Sequence, residues 1–441
     1  MALAAEACAH RGALLRFHAD PGTREDHGYE YWPDGLLLVA DGRVVAAGPA
    51  EALLRGEAAG VPLIEHRQAL LLPGFIDPHI HYPQTDMIGS GGQDLLDWLN
   101  RYTFPEERRF ADAAQAREVS EFFLDELLRN GSTTALVLGT VHRVSAEQFF
   151  AASAARGLRM IAGKCLMDRN CPADLRDTAE EGERDTRELI EAWHGRQRQS
   201  YAITVRFAPT STPEQLASAG RLAREYPDVF VHSHLAENAK EIAWVRELFP
   251  EARSYLDVYE RNGLLRERAI YAHCIHLDTA DRQRMAASGA GAAFSPTSNL
   301  YLGSGLFDLD ASDAAGMRYA PATDVGGGSS FSMLRTLGEA YKVAQMKGQR
   351  LPALRAFYLA TLGAARMLGL DHRIGTLAAG SEADFIVLDE AATPLLARRL
   401  SRCQTLAERL LVWMTLSPDR AVRHSYVQGR RAGGCAAPAL A

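Results

Sequence analysis

The chain of 441 residues carries a formal net charge of −7 at pH 7, and its acidic and basic residues are interspersed. Without a basic block that could follow a phosphate backbone, we expect no nucleic-acid partner. The six cysteines include no Cys-x-x-Cys pair, which argues against a zinc ribbon, a redox motif or a disulfide framework and fits a reducing cytosol. No uncharged apolar run approaches signal-peptide or membrane-spanning length, so we expect a cytoplasmic protein without a membrane partner.

Both ends of the chain have β-type patterns. Residues 35–48 (GLLLVADGRVVAAG) predict two strands joined by a tight turn at Asp41-Gly42. Near the other end, residues 380–389 predict an apolar strand, and residues 425–434 (SYVQGRRAGG) predict a hairpin that turns near Gly429. We therefore predict that residues 1–70 and 372–441 together form a small composite β-sandwich domain.

The middle of the chain, residues 71–371, alternates short apolar stretches with amphipathic helical segments such as 118–131 and 238–249. The predicted strands are 71–81, 133–140, 158–168, 202–210, 229–238, 269–277, 291–299 and 317–327. Eight alternating β and α units in about 300 residues predict an α/β fold of the (β/α)8 TIM-like barrel type.

Polar residues fall at the carboxyl ends of these strands, where barrel active sites lie. The stretch PGFIDPHIHYPQ (73–84) places Asp77, His79 and His81 at alternate positions of the first strand, on one face. Imidazoles and a carboxylate that meet at one edge are the ligands of a divalent metal. The predicted metal ligands are His79, His81, His234, His273 and Asp324.

Other readings of these residues stay open. His232 has the same strand parity as His234, which we prefer because it precedes Glu237 by three residues. His276 is a second competitor. Asp77 is either a ligand or, as is more common at this spacing, a carboxylate that orients a ligand histidine.

The residues favour one metal ion and a hydrolytic reaction. Binuclear barrels of this general kind bridge their ions with a modified lysine at the end of strand 4, where this chain has Arg206, and Lys164 belongs to strand 3. A bound metal would lower the pKa of water from about 15.7 to about 7. Asp324 could accept the water proton, and Glu237 could protonate a ring nitrogen of the substrate before a proton reaches the leaving amine.

Several segments resemble a known family. The HIH, SHLAEN, AHC and TD elements are similar to the amidohydrolase superfamily, and DLLDWLNRYTFPEE (94–107) resembles specifically its guanine-deaminating members. Further matches are TVRFAPT, PTSNLYLGSGLFDL (296–309) and TDVGGGSSFSML (323–334), so the likeness runs from about residue 70 to the end. Pro78 and the glycine-rich GGGSS after Asp324 depart from the family pattern and leave the shape of two loops open.

The resemblance implies the hydrolytic deamination of guanine to xanthine and ammonia, a step of purine catabolism, by a homodimer with one Zn²⁺ per subunit. Carried over by position, the five ligands named above would hold zinc, and Glu237 with Asp324 would move protons. The residues that match segments around the purine are Gln84, Trp98, Arg206 and Phe207.

The chemistry of these side chains agrees with guanine as substrate. Arg206 offers only donors and Gln84 offers a donor and an acceptor, which suits the O6 and N7 acceptors and the N1–H donor of guanine. Adenine would turn an amino donor towards the arginine. Alternatively, Arg206 makes an ion pair behind the barrel and Trp98 belongs to the core.

Two other functions compete with this prediction. The first is another zinc deaminase of the superfamily, acting on 8-oxoguanine, cytosine, a triazine or an adenosine thioether. The second is an inactive relative that serves as a scaffold, although such proteins usually lose ligands and all five positions are filled here.

Overall fold

A computed structural model describes residues 7–91 and 95–432 of the chain. Within these residues the strands, in chain order, are β1 (Cys8–Phe17), β2 (Tyr29–Ala40), β3 (Arg43–Pro49), β4 (Leu63–Pro73), β5 (Phe75–His81), β6 (Ser132–Leu138), β7 (Arg159–Gly163), β8 (Cys165–Leu166), β9 (Ser200–Val205), β10 (Phe230–Leu235), β11 (Ala269–His273), β12 (Gly291–Phe294), β13 (Arg318–Pro321), β14 (Phe385–Asp389), β15 (Val422–Val427) and β16 (Arg430–Ala432).

Helices alternate with the strands of the middle region. In the described ranges they are α1 (Ala50–Arg55), α2 (Leu95–Trp98), α3 (Phe104–Glu107), α4 (Ala113–Arg129), α5 (Arg143–Ala155), α6 (Ala179–Trp193), α7 (Pro213–Glu225), α8 (Ala239–Leu248), α9 (Tyr255–Arg261), α10 (Thr279–Ser288), α11 (Pro296–Tyr301), α12 (Leu309–Ala315), α13 (Met333–Met346), α14 (Ala353–Tyr358), α15 (Ala364–Met367), α16 (Pro394–Leu400) and α17 (Leu406–Leu416). A π-helical turn, Leu99–Thr103, joins α2 to α3. None of the helices in the described ranges has the length and apolar character needed to cross a bilayer.

Eight parallel strands form the barrel, in the order β5, β6, β7, β9, β10, β11, β12 and β13, with β8 as an extra short partner of β9. Backbone hydrogen bonds connect the first strand to the segment after the last one: Asp324 N donates to His79 O (3.0 Å) and His81 N donates to Val325 O (2.7 Å). The predicted (β/α)8 barrel is confirmed. This closure also brings the residues after β13 against the end of β5.

Each barrel strand places one apolar side chain in a shared buried layer. The strand members of this layer are Ile76, Leu136, Ile161, Ala202, Phe230, Ile270, Ala293 and Ala320. Met367 of α15 and the neighbouring Leu368 pack against them. The layer fills one end of the barrel interior with apolar side chains and leaves the carboxyl ends of the strands for a site.

The two ends of the chain meet in a seven-stranded sheet with the order β16, β15, β14, β4, β1, β2, β3. Both predicted hairpins are present, since β2 pairs with β3 and β15 with β16, each antiparallel. The joint between the two ends is the antiparallel pair β4–β14, with Leu72 opposite Ile386. The domain limits near residues 70 and 372 stay a prediction.

One predicted strand is divided in the structure. The segment 71–81 was expected to be continuous, but β4 ends at Pro73 in the terminal sheet and β5 begins at Phe75 in the barrel. Gly74 lies between them, and a Cβ atom there would come within 2.1 Å of Thr133 Oγ1. The absence of a side chain therefore lets the chain pass tightly from one sheet to the other.

Candidate active site

Four side chains from three strand ends converge at the carboxyl edge of the barrel. His79 and His81 end β5, His234 lies in β10, and Asp324 follows β13. One ligand atom of each lies within 4.8 Å of all the others. His81 Nε2 is 3.2 Å from both His79 Nε2 and His234 Nε2, and Asp324 Oδ1 is 3.0 Å from His79 Nε2.

His273, the fifth predicted ligand, lies beside this group rather than inside it. Its Nε2 is 3.9 Å from Asp324 Oδ2 and 3.3 Å from Glu237 Oε2. Both His273 and Asp324 have positive φ values, 71° and 50°. Such backbone conformations are uncommon for residues other than glycine and occur preferentially at functional sites.

Hydrogen bonds orient the imidazoles so that Nε2 atoms face the group. His234 Nδ1 donates to the carbonyl oxygen of Arg206 (2.6 Å), and His273 Nδ1 donates to Asn299 Oδ1 (2.9 Å). In a neutral imidazole whose Nδ1 carries the proton, Nε2 presents a lone pair. His79 Nδ1 lies 2.7 Å from His232 Nε2, which fixes the third ring.

The protonation states suit metal binding. Burial lowers the pKa of His79 to about 4, and burial lowers the pKa of His234 well below its ordinary value. Burial alone would raise the pKa of Asp324, but the neighbouring His79 holds it well below its usual range. The neutral imidazoles of His79 and His234 and the ionised carboxylate of Asp324 are suited to hold a divalent metal ion.

Glu237 lies next to the cluster on the loop between β10 and α8. Burial raises the pKa of its carboxyl group, and Asp324 raises it further, while His273 and Ser304 act in the opposite direction. Ser304 Oγ donates to Glu237 Oε1 at 2.9 Å. A buried carboxyl group with a raised pKa, held beside a metal-type cluster, is suited to proton transfer.

The four predicted substrate residues line the same cavity as this cluster. Gln84, Trp98, Arg206 and Phe207 share its wall with His81, His234, Glu237, His273 and Asp324. The alternative of a core role holds in part for Trp98, which is buried and whose Nε1 donates to Ser90 O at 2.9 Å. Its ring nevertheless borders the cavity.

Arg206 makes a buried ion pair, but this pair lies at the cavity. Arg206 Nη1 donates to Glu107 Oε2 at 2.6 Å. Gln84 Nε2 donates to Glu107 Oε1 at 3.0 Å and also lies 3.0 Å from His81 Nδ1. The carboxylate of Glu107 therefore contacts two of the four predicted purine-binding side chains, Gln84 and Arg206.

The competing histidines and Asp77 have other contacts. His232 packs against His79 but is outside the four-residue group, and His276 Nε2 faces Ser304 O at 2.9 Å. Asp77 accepts hydrogen bonds from the backbone N–H groups of Thr323 (3.1 Å) and His79 (3.3 Å), so its contact with His79 is to the main chain.

Glu107, Ser304 and Asn299 were not among the site residues that we predicted from the sequence. All three lie in segments that carried the resemblance, 94–107 and 296–309. Their positions depend on how helical turns pack over the barrel, which strand periodicity does not report.

A parallel barrel with imidazole and carboxylate side chains gathered at the carboxyl ends of its strands is the arrangement of the amidohydrolase class of enzymes. The chain belongs to the amidohydrolase family, whose model matches residues 70–432.

Within this class, the chain is 51% identical to the guanine deaminase of Escherichia coli (strain K12), over 90% of each chain. It is 40% identical to a probable guanine deaminase of Deinococcus radiodurans, over 95% of this chain and 97% of that one. The solved structure of the E. coli guanine deaminase superimposes with a TM-score of 0.94 at 48% identity, covering 96% of this chain and 99% of the other. A guanine deaminase from C. acetobutylicum with bound guanine in its active site has a TM-score of 0.88 at 27% identity, covering 97% and 100%.

Proposed function

We propose that this protein is an enzyme that hydrolyses guanine to xanthine and ammonia. The observation that carries this proposal is the cavity that Arg206 and Gln84 line together with His81, His234 and Asp324 of the four-residue cluster, in a chain so similar to guanine deaminases. The guanine deaminase activity for which those relatives are named supports the same substrate for this chain. Cytosine, triazine, 8-oxoguanine or adenosine-thioether substrates, and a scaffold role, are not favoured.

We assign one Zn²⁺ per subunit to His79, His81, His234, His273 and Asp324. Four of the five donors already face one another, and His273 lies at the edge of the group. When bound, zinc supplies Lewis-acid activation of a water molecule near neutral pH. The family resemblance further supports a homodimer and a cytoplasmic location.

Glu237 and Asp324 are assigned the proton transfers. Asp324, ionised beside His79, is placed to accept a proton from the attacking water. Glu237 holds a proton more readily than an exposed glutamate because it is buried, so it can protonate a ring nitrogen and make the adjacent carbon electrophilic. The departing amine then receives a proton from the same pair.

Arg206 and Gln84 are assigned the recognition of guanine. Arg206 has five N–H donors, and Glu107 engages only one of its nitrogens, which leaves donors for O6 and N7. Gln84 Oε1 accepts from Gly326 N at 3.1 Å, which uses one of its two acceptor positions. Trp98 and Phe207 supply apolar walls for the flat ring. Adenine would leave a buried donor facing Arg206, a loss of about 1–3 kcal/mol per unpaired group.

The test is incubation of purified, metal-loaded protein with guanine, followed by ultraviolet difference spectra and an ammonia assay. We expect xanthine and ammonia in equal amounts, and metal analysis of the same sample should give one zinc per chain. Parallel reactions contain adenine, 8-oxoguanine and cytosine. If one of these compounds released ammonia and guanine released none, that compound would replace guanine as the proposed substrate.

Glu237→Gln tests the assigned proton transfer. The amide cannot donate or accept the catalytic proton as a carboxyl group does, so we expect kcat to fall by about two to four orders of magnitude. Zinc content should stay near that of the unchanged protein. Activity within a few-fold of the unchanged protein would remove Glu237 from its role.

A further inference from the structure

Glu107 is a carboxylate with no exposed surface at the end of α3, outside the residues assigned to zinc, proton transfer or guanine. Charged groups are almost never fully buried unless they are paired. Its partners therefore indicate why the chain keeps a charge at this position.

Each oxygen of Glu107 accepts a hydrogen bond from a different residue. Oε1 accepts from Gln84 Nε2 at 3.0 Å, and Oε2 accepts from Arg206 Nη1 at 2.6 Å. Gln84 follows β5 and Arg206 follows β9, so Glu107 connects side chains from two separate strands. Gln84 and Arg206 are both buried, each with 2% of its surface exposed.

A carboxylate only accepts hydrogen bonds, so the contact with Glu107 requires the NH₂ end of the Gln84 amide. The NH₂ end must face Glu107, and Oε1 then faces Gly326 N at 3.1 Å. The N–H of Gly326 requires the oxygen end of the same amide, so Glu107 and Gly326 hold Gln84 in one orientation from its two ends. Loss of the carboxylate would remove the charge-assisted contact that holds the NH₂ end.

The same helical turn holds Arg206 from a second direction. The guanidinium carbon of Arg206 lies 5.4 Å from the ring centroid of Phe104, in a cation–π arrangement. Phe104 and Glu107 are three positions apart in α3 and so lie on one helix face. The guanidinium is fixed by a ring at its face and a carboxylate at its edge.

We propose that Glu107 is a positioning residue that sets the orientation of Arg206 and Gln84 for the purine. This inference rests on the proposed function, because the side chains it positions are those assigned to guanine. Glu107 acts through these two side chains and does not touch the reacting atoms. Its loss should weaken guanine binding and leave the chemical step largely unchanged.

The experiment is steady-state kinetics of Glu107→Gln with guanine. Loss of one charge-assisted contact to each recognition residue should raise KM about ten- to a hundredfold, with kcat within about threefold. Zinc content should not change. The matched control is Glu106→Gln, which removes the neighbouring carboxylate, paired with Arg109 away from the cavity, and should leave KM unchanged.

Glu107→Asp is the second variant and carries the test if Glu107→Gln does not fold. Aspartate keeps the negative charge but is one methylene shorter, so it can reach only one of the two partners, Gln84 or Arg206. We therefore expect KM to rise less than in Glu107→Gln.

An unchanged KM in a folded Glu107 variant, or a fall in kcat at unchanged KM, would overturn the positioning role. Absence of guanine deamination by the unchanged protein would instead overturn the proposed function.

Discussion

Ser304 donates a 2.9 Å hydrogen bond to Glu237 Oε1, and it does so from the segment between α11 and α12. The opposite oxygen of Glu237 faces His273 at 3.3 Å. The proposed proton carrier is thus held from two sides, by a neutral hydroxyl and by an imidazole. Its carboxyl plane is fixed before any substrate enters, which reduces the reorganisation needed for proton transfer.

Ser304→Ala should therefore lower kcat about tenfold, with little change in KM or zinc content, because one neutral hydrogen bond that positions Glu237 is lost. Ser304→Thr keeps the hydroxyl and should retain more activity than the alanine variant. Steady-state kinetics with guanine separates the two parameters. A rise in KM at constant kcat would show that Ser304 acts on substrate binding instead.

His234 and His232 should differ in their effect on the metal. His234→Ala removes a donor of the four-residue cluster and should abolish zinc binding. His232→Ala leaves all four donors but frees the His79 ring, and loss of such a supporting contact costs about 10- to 100-fold in metal affinity. Zinc content after dialysis against graded chelator distinguishes the variants. If His232→Ala lost as much zinc as His234→Ala, His232 would be assigned as a metal ligand as well.

Gly326 and Gly328 should not tolerate a side chain. A Cβ atom at Gly326 would lie 2.6 Å from Gln84 O, and one at Gly328 would lie 1.8 Å from Thr323 O. Because both obstacles are backbone atoms, Gly326→Ala and Gly328→Ala should each destabilise the protein by more than about 1–3 kcal/mol and displace Asp324. Melting temperature and zinc content measure both effects. Gly91→Ala is the control, since no atom of the described part of the chain lies within 4 Å of its added Cβ.

Glu241 should make stability depend on pH. Burial, together with the charge of Glu237, raises the pKa of Glu241 from 4.5 to about 7. The folded protein therefore binds this proton more tightly than the unfolded chain does. The resulting stabilisation is complete below pH 4.5 and is lost as the pH rises to about 7.

Glu241→Gln removes this dependence, because the amide stays neutral while its oxygen can still accept from Glu237 N and Asn238 N. At pH 8 the variant should be more stable than the unchanged protein by up to about 3 kcal/mol, and near pH 4.5 the two should converge. Melting curves across this range test the difference. Glu247→Gln, an exposed position on α8, should follow the unchanged protein at every pH.

The sequence was most informative where strand periodicity alone determines position. We could predict that His79, His81, His234 and Asp324 lie close together, because parallel strands end at one edge of a barrel. The same rule was less accurate for Asp77: the β5–β6 pairing shifts register between Asp77 and Ile80, so simple alternation does not hold there.

Contacts that depend on the packing of loops and helical turns could not be predicted. Glu107 lies on a single helical turn between the first two barrel strands, and only its packing against Arg206 reveals its partner. His273 is similar, because its φ of 71° turns the side chain out of the strand pattern. Strand periodicity predicted the positions of the strand histidines, whereas the contacts of Glu107 and His273 depend on how the intervening segments fold.

The pairing of β4 with β14 also constrains how the protein is made on the ribosome. The Leu70–Leu72 stretch of β4 emerges early, whereas its neighbour Ile386 emerges only after the whole barrel has been synthesised. Until then a nascent chain carries an apolar strand with an open edge, which is a site for association with other chains. Premature termination inside the barrel would leave that edge permanently uncovered, so incomplete products should be removed by chaperones and proteases rather than accumulate as partly active enzyme.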